Sequence, residues 1–338
     1  MNEIIVDDSS KRLSLVEDNL VVQDETQTIV LNKSIKTLDH VIIFGNPQVT
    51  TQLLKALAAH HVGVHYFSVN GKYLTSVAPV KADNYEKQFK QFSALTNENF
   101  KLALAKRIVV NKIYLQQQLI ASYDTDNLLE ETDYIRFQER MKGAHTATTI
   151  SELIGQEGRA AKSYFYYLGL LIHHDFCFRG RTKNPPLDPA NAMFSLGYDL
   201  VYSYMLGIVK KYGLNAGFGC IHQNRHYHAT LVSDLMEVWR PILVDDTVMQ
   251  LCNQQIVRQT DFTKNGAGAY YLNRDARKLL LTEIKNRFFE KHHYFHGDSK
   301  TFTANYSMDM QVMSLQRAFE TGDAGEYKVI GAAYDEMV

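Results

Sequence analysis

The hydrophobic period of this chain changes once, near residue 82, and that change limits the folds open to it. Before it, RLSLV (12–16), NLVVQ (19–23) and TIVLN (28–32) are short segments with β-branched residues, separated by turn-forming Asp, Asn and charged residues. That spacing predicts a β-meander. VIIFG (41–45) is a continuous apolar strand closed by Gly45, and NPQVTTQLLKALAAHH then sets Val49, Leu53, Leu54 and Leu57 at helical spacing. VGVHYFSVNGKYLTSV returns to strands, with Asn70-Gly71 as the hairpin turn. Beyond residue 82, NFKLALAKRIVVNKIYLQQQLIAS carries apolar residues three and four apart throughout. The chain is therefore expected to be α+β: a small N-terminal β-rich domain at 1–81, then a larger all-α domain at 82–338.

Within the helical part an acidic stretch runs from Asp124 to Asp133, and the next helix is expected to start near Thr146 and run through ISELIGQEGRAAKSYFYYLGLLI. RTKNPPLDPAN cannot be helical across three prolines and is read as a loop. Helical patterns resume at NAMFSLGYDLVYSYMLGIVKKYG, at ATLVSDLMEVW and through much of 246–294. The tail after Gly322 is acidic and expected to be peripheral. There is no internal repeat.

At 338 residues, 45% hydrophobic and 22% charged, the chain is long enough for two cooperating domains. Its net charge of −1 excludes a protein that binds polyanions with its whole surface, so any nucleic-acid contact must use a local patch. Residues 1–30 are acidic, whereas Arg274, Arg277, Lys278, Lys285, Arg287 and Lys291 outnumber Asp275, Glu283 and Glu290. This is either one basic face or an ordinary solvated helix face. Cys177, Cys220 and Cys252 form no C-x-x-C pair, which argues against a disulfide framework or zinc knuckle and for a reducing cytoplasm. The acidic N-terminus has no signal-peptide pattern, and no apolar run approaches the ~20 residues of a membrane helix. A soluble, cytoplasmic protein with no membrane partner is expected.

Glu157 raises a chemical question. Ile150, Leu153, Ile154, Ala161, Tyr164, Phe165 and Leu168 trace an apolar stripe at helical spacing, and Glu157 falls on it. A carboxylate facing a core needs a partner, either a buried Arg or a bound cation. In ATLVSDLMEVW, Leu231, Leu235, Val238 and Ile242 form the buried stripe, with Asp234 and Glu237 together along its edge. Two acids on one rim suit magnesium or manganese, which prefer oxygen, although Asp234 can equally serve the helix dipole. His222 follows the apolar GFGCI segment and is anchored there; His226 and His228 sit among Asn, Arg and Tyr in a loop. A zinc site of His222, His226 and His228 is open, but no H-E-x-x-H or zinc-finger spacing supports it. Cys220 with His222 resembles a nucleophile–base pair, yet its apolar surroundings favour an inert buried thiol. There is no phosphate-binding G-x-x-x-x-G-K-[ST] loop, no G-x-S-x-G elbow and no full G-x-G-x-x-G.

With these residues in place, the chain resembles, over nearly its whole length, the CRISPR-associated integrase family, the endonuclease subunit of CRISPR adaptation. EGRAAKSYF carries the family's Glu-Gly with a following Tyr-Phe. RTKNPPLDPAN matches its Arg…Pro-Pro-x-Asp-x-x-Asn loop through Arg181, Pro185, Pro186, Asp188 and Asn191. GFGCIH ends in its histidine, and DLMEVWRP matches its Asp-Leu-Met-Glu…Arg-Pro helix. VIIFGNPQVTTQLLKAL and the NGKY turn are similar to its β-domain. Cys220-Ile221 and Val238-Trp239 depart from the usual residues, apolar for apolar. The resemblance implies that Glu157, His222 and Glu237 bind one catalytic magnesium or manganese ion, supported by Asp234. It implies DNA as substrate, with Arg181, Arg274, Arg277, Lys278, Lys285 and Arg287 on phosphates, and a homodimer formed through the β-domain that assembles with a small partner subunit. Tyr164 and Tyr202 would lie near the site or simply pack the core. Two other functions stay open: a zinc hydrolase built on the three histidines, and a non-catalytic DNA-binding scaffold with a vestigial site.

Overall fold

The computed structural model describes residues 3–38, 40–69, 73–77, 85–222 and 228–338, and the chain divides into two units, Met1–Asp83 and Asn84–Val338. In the first, the elements run β1 (Glu3–Val6), β2 (Arg12–Val16), β3 (Asn19–Gln23), β4 (Ile29–Ser34), β5 (His40–Phe44), β6 (Gln48–Val49), α1 (Thr51–Ala59), β7 (Gly63–Phe67) and β8 (Tyr73–Val77). They form two four-stranded sheets, ordered β4-β3-β2-β6 and β1-β5-β7-β8. The expected meander is β2–β3–β4, paired antiparallel. β5 and β7 are parallel, and a parallel pair needs a crossover, which α1 supplies. Val41, Ile42, Ile43 and Phe44 are all buried, as a central parallel strand covered on both faces requires. Leu13, Leu20 and Val22 from one sheet, Val41, Ile43 and Val64 from the other, and Leu53 and Leu57 of α1 share one core. Gly45 ends β5 at φ +79°, where a Cβ would sit 2.4 Å from Ser9 Oγ, so glycine is required twice over. Asn70 and Gly71, the expected hairpin turn, lie outside the described residues; the flanking strands β7 and β8 pair antiparallel.

The second unit is helical: α2 (Tyr85–Thr96), α3 (Glu98–Tyr123), α4 (Glu131–Thr146), α5 (Ile150–Leu171), α6 (Pro189–Lys211), α7 (Thr230–Met236) and α8 (Asp246–Asn253), then the short β9 (Phe262–Lys264) and β10 (Tyr270–Leu272), then α9 (Arg274–Phe289) and α10 (Ala304–Thr321). α3 packs along α4 and α5. The residues before Thr146 differ from expectation: the helix expected to begin there ends there. The acidic stretch opens α4, where the Glu130 N–H donates to the Asp133 carboxylate at 3.1 Å and the acids favour the helix N-terminus. α5 then starts afresh, with Thr149 accepting from the Glu152 N–H at 3.2 Å. The tail is a second correction. Tyr327 and Ile330 are buried, and the Asn111 side chain of α3 binds both backbone groups of Ile330, donating at 2.7 Å and accepting at 2.8 Å. α6 is, by length and composition, apolar enough to cross a membrane, although its apolar residues are interrupted by polar ones; 78% of that apolar window is buried inside the structure.

Candidate active site

Glu157 lies between Leu153, Ala160 and Tyr164, the buried line of α5, while Ile154 turns out to solvent at 40% exposure. The core-facing line is thus displaced by about one position from the stripe read in the sequence, and Glu157 stands on its edge. Its partner is a cation from α3. Lys112, buried among Val109, Val110 and Ile113, forms an ion pair with Glu157 Oε1 and lies 2.7 Å from Glu237 Oε2. Arg240 Nη1 holds the other oxygen of Glu237 at 2.6 Å. Burial pushes the Glu237 carboxyl up, but the Arg240 guanidinium and the Lys112 ammonium outweigh it and bring its pKa down to about 2. For Lys112, burial works against the charge, and the Glu237 and Glu157 carboxylates overcome it, so the ammonium keeps its proton.

The second half of the site hangs on Asp234, which is fully buried in α7. Its carboxylate accepts from the backbone N–H of Cys220 at 2.6 Å, of Ile221 at 3.0 Å and of His222 at 3.1 Å. It also takes His222 Nδ1 at 2.6 Å, so that nitrogen donates and Nε2 keeps its lone pair for a ligand. The glycine in GFGC permits this close approach. A Cβ on Gly219 would meet Asp234 Oδ2 at 2.4 Å and Leu231 N at 2.9 Å. Cys220 is buried and its thiol is pushed well up by burial and by Asp234, which removes it as a nucleophile. α7 has no side-chain cap: Thr230 instead ties the loop, accepting from the Gly219 N–H at 2.9 Å and donating to the Gly217 carbonyl at 2.8 Å. The chain continues past Pro241 as one π-helical turn, Pro241–Asp245, into α8.

Behind Glu237 lies a buried polar layer. Tyr164 and Tyr198 donate to the two oxygens of Asp245 at 2.5 Å and 2.6 Å. The Arg240 guanidinium lies 4.6 Å from the centre of the Tyr198 ring, and Arg181 lies 5.2 Å from it. The proline loop is interlocked: Asp188 caps α6 by accepting from the Asn191 N–H at 2.7 Å, and Asn191 donates to Asp188 at 2.6 Å and to the Gly180 carbonyl at 2.8 Å. Arg181 donates to Asn191 Oδ1 at 2.7 Å and to Ser195 Oγ at 2.9 Å. Its guanidinium is turned toward the loop and α6, and Arg277 is buried. Arg287 pairs with Asp246 at 2.6 Å, while Arg274 and Lys278 are exposed and Lys285 is half-buried.

Tyr202 Oη accepts from the Ala229 N–H at 3.3 Å. His228 is exposed, its Nε2 3.0 Å from Ser233 Oγ and its ring 6.4 Å from that of His222. His226 lies outside the described residues. Among the described residues, the trio of ligand atoms within 4.8 Å of one another is His173, His174 and Asp175, on the short turn after α5. Glu157, His222 and Glu237 are not drawn that close, and between the two glutamates stands the Lys112 ammonium. Their donors nonetheless suit a hard divalent cation: two carboxylates and one imidazole nitrogen oriented by a carboxylate. Glu237 Oε2 is buried and near Lys112 but without hydrogen-bond alignment, an acceptor with spare capacity facing the site.

Residues 4–286 match the family described as CRISPR associated protein Cas1. The chain belongs to the Cas1 family. A CRISPR-associated endonuclease Cas1 from Mycobacterium tuberculosis is 35% identical over 327 residues, 95% of each chain. A solved chain of a Cas6-RT-Cas1–Cas2 complex superposes with a TM-score of 0.84 at 27% identity, over 97% of this chain and 36% of that longer one. A casposase bound to an integration product has the same fold, with a TM-score of 0.84 at 21% identity over 99% of this chain and 97% of that one. Within a Cas1-family chain, Lys112, Arg240 and Asp245 are the site neighbours that sequence reasoning missed. Lys112 had a signal: a lysine amid the apolar run Ile108–Ile113, on the face that the periodicity itself buries. Arg240 stands three residues after Glu237, the spacing that brings helical side chains together.

Proposed function

We propose that this chain is a metal-dependent DNA endonuclease and integrase of CRISPR adaptation, joining the 3′-hydroxyl ends of short foreign DNA duplexes to a CRISPR repeat. The observation that carries the reading is the pair of glutamates from two helices beside a histidine whose tautomer a buried aspartate sets. Family membership supports it, as do the endonuclease name of the mycobacterial relative and the integration product on the casposase. Glu157, Glu237 and His222 Nε2 would hold the ion, magnesium or manganese. When bound, it supplies Lewis-acid stabilisation of charge on the attacking and leaving oxygens. Arg240 fixes Glu237, and Asp234 keeps His222 in the tautomer that presents Nε2. In the reaction the incoming 3′-oxygen bonds to phosphorus, the repeat's own P–O3′ bond breaks, and that strand is released with a 3′-hydroxyl. With water as nucleophile the same site cleaves branched DNA. Neither route needs a covalent link to the protein.

Arg274, Lys278 and Lys285 would hold phosphates and contribute affinity more than sequence information. Arg181 and Arg277 would act by shaping the loop and α9. The domains expected at 1–81 and 82–338 divide the roles. The first would form the homodimer and the second would carry the catalytic site and bind DNA; the homodimer would assemble with a small partner subunit in the cytoplasm. The test is integration of a labelled duplex into a plasmid bearing a leader and repeat, with partner subunit and manganese present. Joined product is expected from the wild type and none from Glu157→Ala; undiminished product from that variant would sink the site assignment.

A further inference from the structure

The two carboxylates that flank Lys112 are already matched by two ion-paired cations before any ion enters. Glu157 and Glu237 bring two negative charges, and Lys112 and Arg240 bring two positive ones. Lys112 is not a peripheral neighbour. Its ammonium lies between the two carboxylates, which come from α5 and from the end of α7, and it touches the same two oxygens that would bind the ion. A cation of charge +2 and an ammonium cannot share that space at close range without strong repulsion, because the site is buried and water screens it poorly.

We propose that Lys112 is a resident cation of this site that must leave Glu157 and Glu237 for the divalent ion to bind, which keeps the affinity for the ion low until DNA arrives. The inference rests on the metal-site assignment above. Metal entry with all four ion-paired groups in place would raise the net charge of that set from zero to +2. Phosphates of bound DNA supply the negative charge that offsets this, so ion and DNA bind with positive coupling that is reciprocal by linkage. The displaced ammonium is carried on a long flexible stem, and a phosphate oxygen is its natural new partner. A simple strut would behave in the opposite way. If Lys112 only held the glutamates in place, losing it would let them spread and weaken metal binding.

The experiment measures Mn²⁺ binding by the paramagnetic resonance of free Mn²⁺, using the intact chain without DNA. Lys112→Met and Lys112→Gln are expected to bind Mn²⁺ at least about tenfold more tightly than the wild type, because one adjacent unit charge is gone. Adding a duplex ended in 3′-dideoxynucleotides, which cannot react, should tighten Mn²⁺ binding by the wild type and have a smaller effect on the variants. Unchanged or weaker Mn²⁺ binding by both variants would overturn the proposal. Glu157→Gln separates the two levels: if it binds Mn²⁺ as the wild type does, the metal-site assignment itself fails. A readout on the wild type keeps the test independent of variants that fold poorly. Lys112 is buried, so its amine should resist acetic anhydride in chelator and become labelled as Mn²⁺ saturates the site, read by peptide mass. Labelling that Mn²⁺ leaves unchanged would count equally against displacement.

Discussion

At the scale of single residues, the candidate site is held in shape by groups other than its proposed metal ligands. Asp234 accepts four hydrogen bonds from inside the fold, three from backbone N–H groups and one from His222. An amide at this position presents an NH₂ to donors or loses the charge that strengthens them. Asp234→Asn is therefore expected to cost about 2–4 kcal/mol of stability, measured by urea unfolding, and to abolish integration by freeing the His222 tautomer. A variant as stable as the wild type would show that Asp234 does not organise the loop. Glu237 adds a pH signature. Its folded pKa of about 2 lies below the 4.5 of an ordinary glutamate. The stability it contributes is thus fully present above the higher value and lost as pH falls toward the lower one. In metal-free protein, the stability gap between wild type and Glu237→Gln should narrow by about 1 kcal/mol from about pH 6 to about pH 3.5. A gap that holds constant or widens over that range would mean that the paired carboxylate does not stabilise the fold.

At the scale of elements, the proline loop and the start of α6 form one device. Asp188 is the N-cap, Pro189 the first helical residue, and Asn191 the clasp that holds Gly180, Thr182 and Arg181. Asp188→Ala removes the cap and one side of the clasp, and a loss of about 1–2 kcal/mol is expected in urea unfolding. This interlock explains why a motif first read for function carries so much structural load. It also marks how far the sequence could be read. The strands of the first unit and the helices α3, α5 and α6 were visible because their apolar periods are long and strong. α4 was missed because its opening is acidic and its buried set is sparse, only Phe137, Met141 and Ala144. The tail was misplaced because its acidic charge marked it as peripheral, while its burial comes from Tyr327 and Ile330 docking on a partner distant in sequence. Glu157, His222, Asp234 and Glu237 were legible from residue type and motif. Lys112 showed only as a lysine on a buried helix face, and its place in the site becomes plain once two glutamates from other elements are set beside it.

At the scale of the whole molecule, the proposed homodimer would need a surface on the first unit. β4 is an edge strand, and Ile29 and Val30 at its start are exposed at 55% and 51%. An apolar edge with unpaired backbone groups is a liability that a soluble chain covers or blunts. No proline stands in β4, and Lys33 is its one charged residue. A two-fold partner that lays the same strand alongside would cover the patch on both copies with one kind of contact. This agrees with a homodimer formed through the first unit. The double variant Ile29→Lys/Val30→Lys places like charges opposite one another in that arrangement, and cross-strand like charges are destabilising. Sedimentation at matched concentration should show the wild type at twice the chain mass and the variant at the mass of one chain. Circular dichroism should show the helical unit melting unchanged, since neither residue belongs to it. A variant that stays dimeric with an unchanged dissociation constant would move the interface away from β4, and the exposed apolar residues of β8, led by Leu74, would be the next place to test.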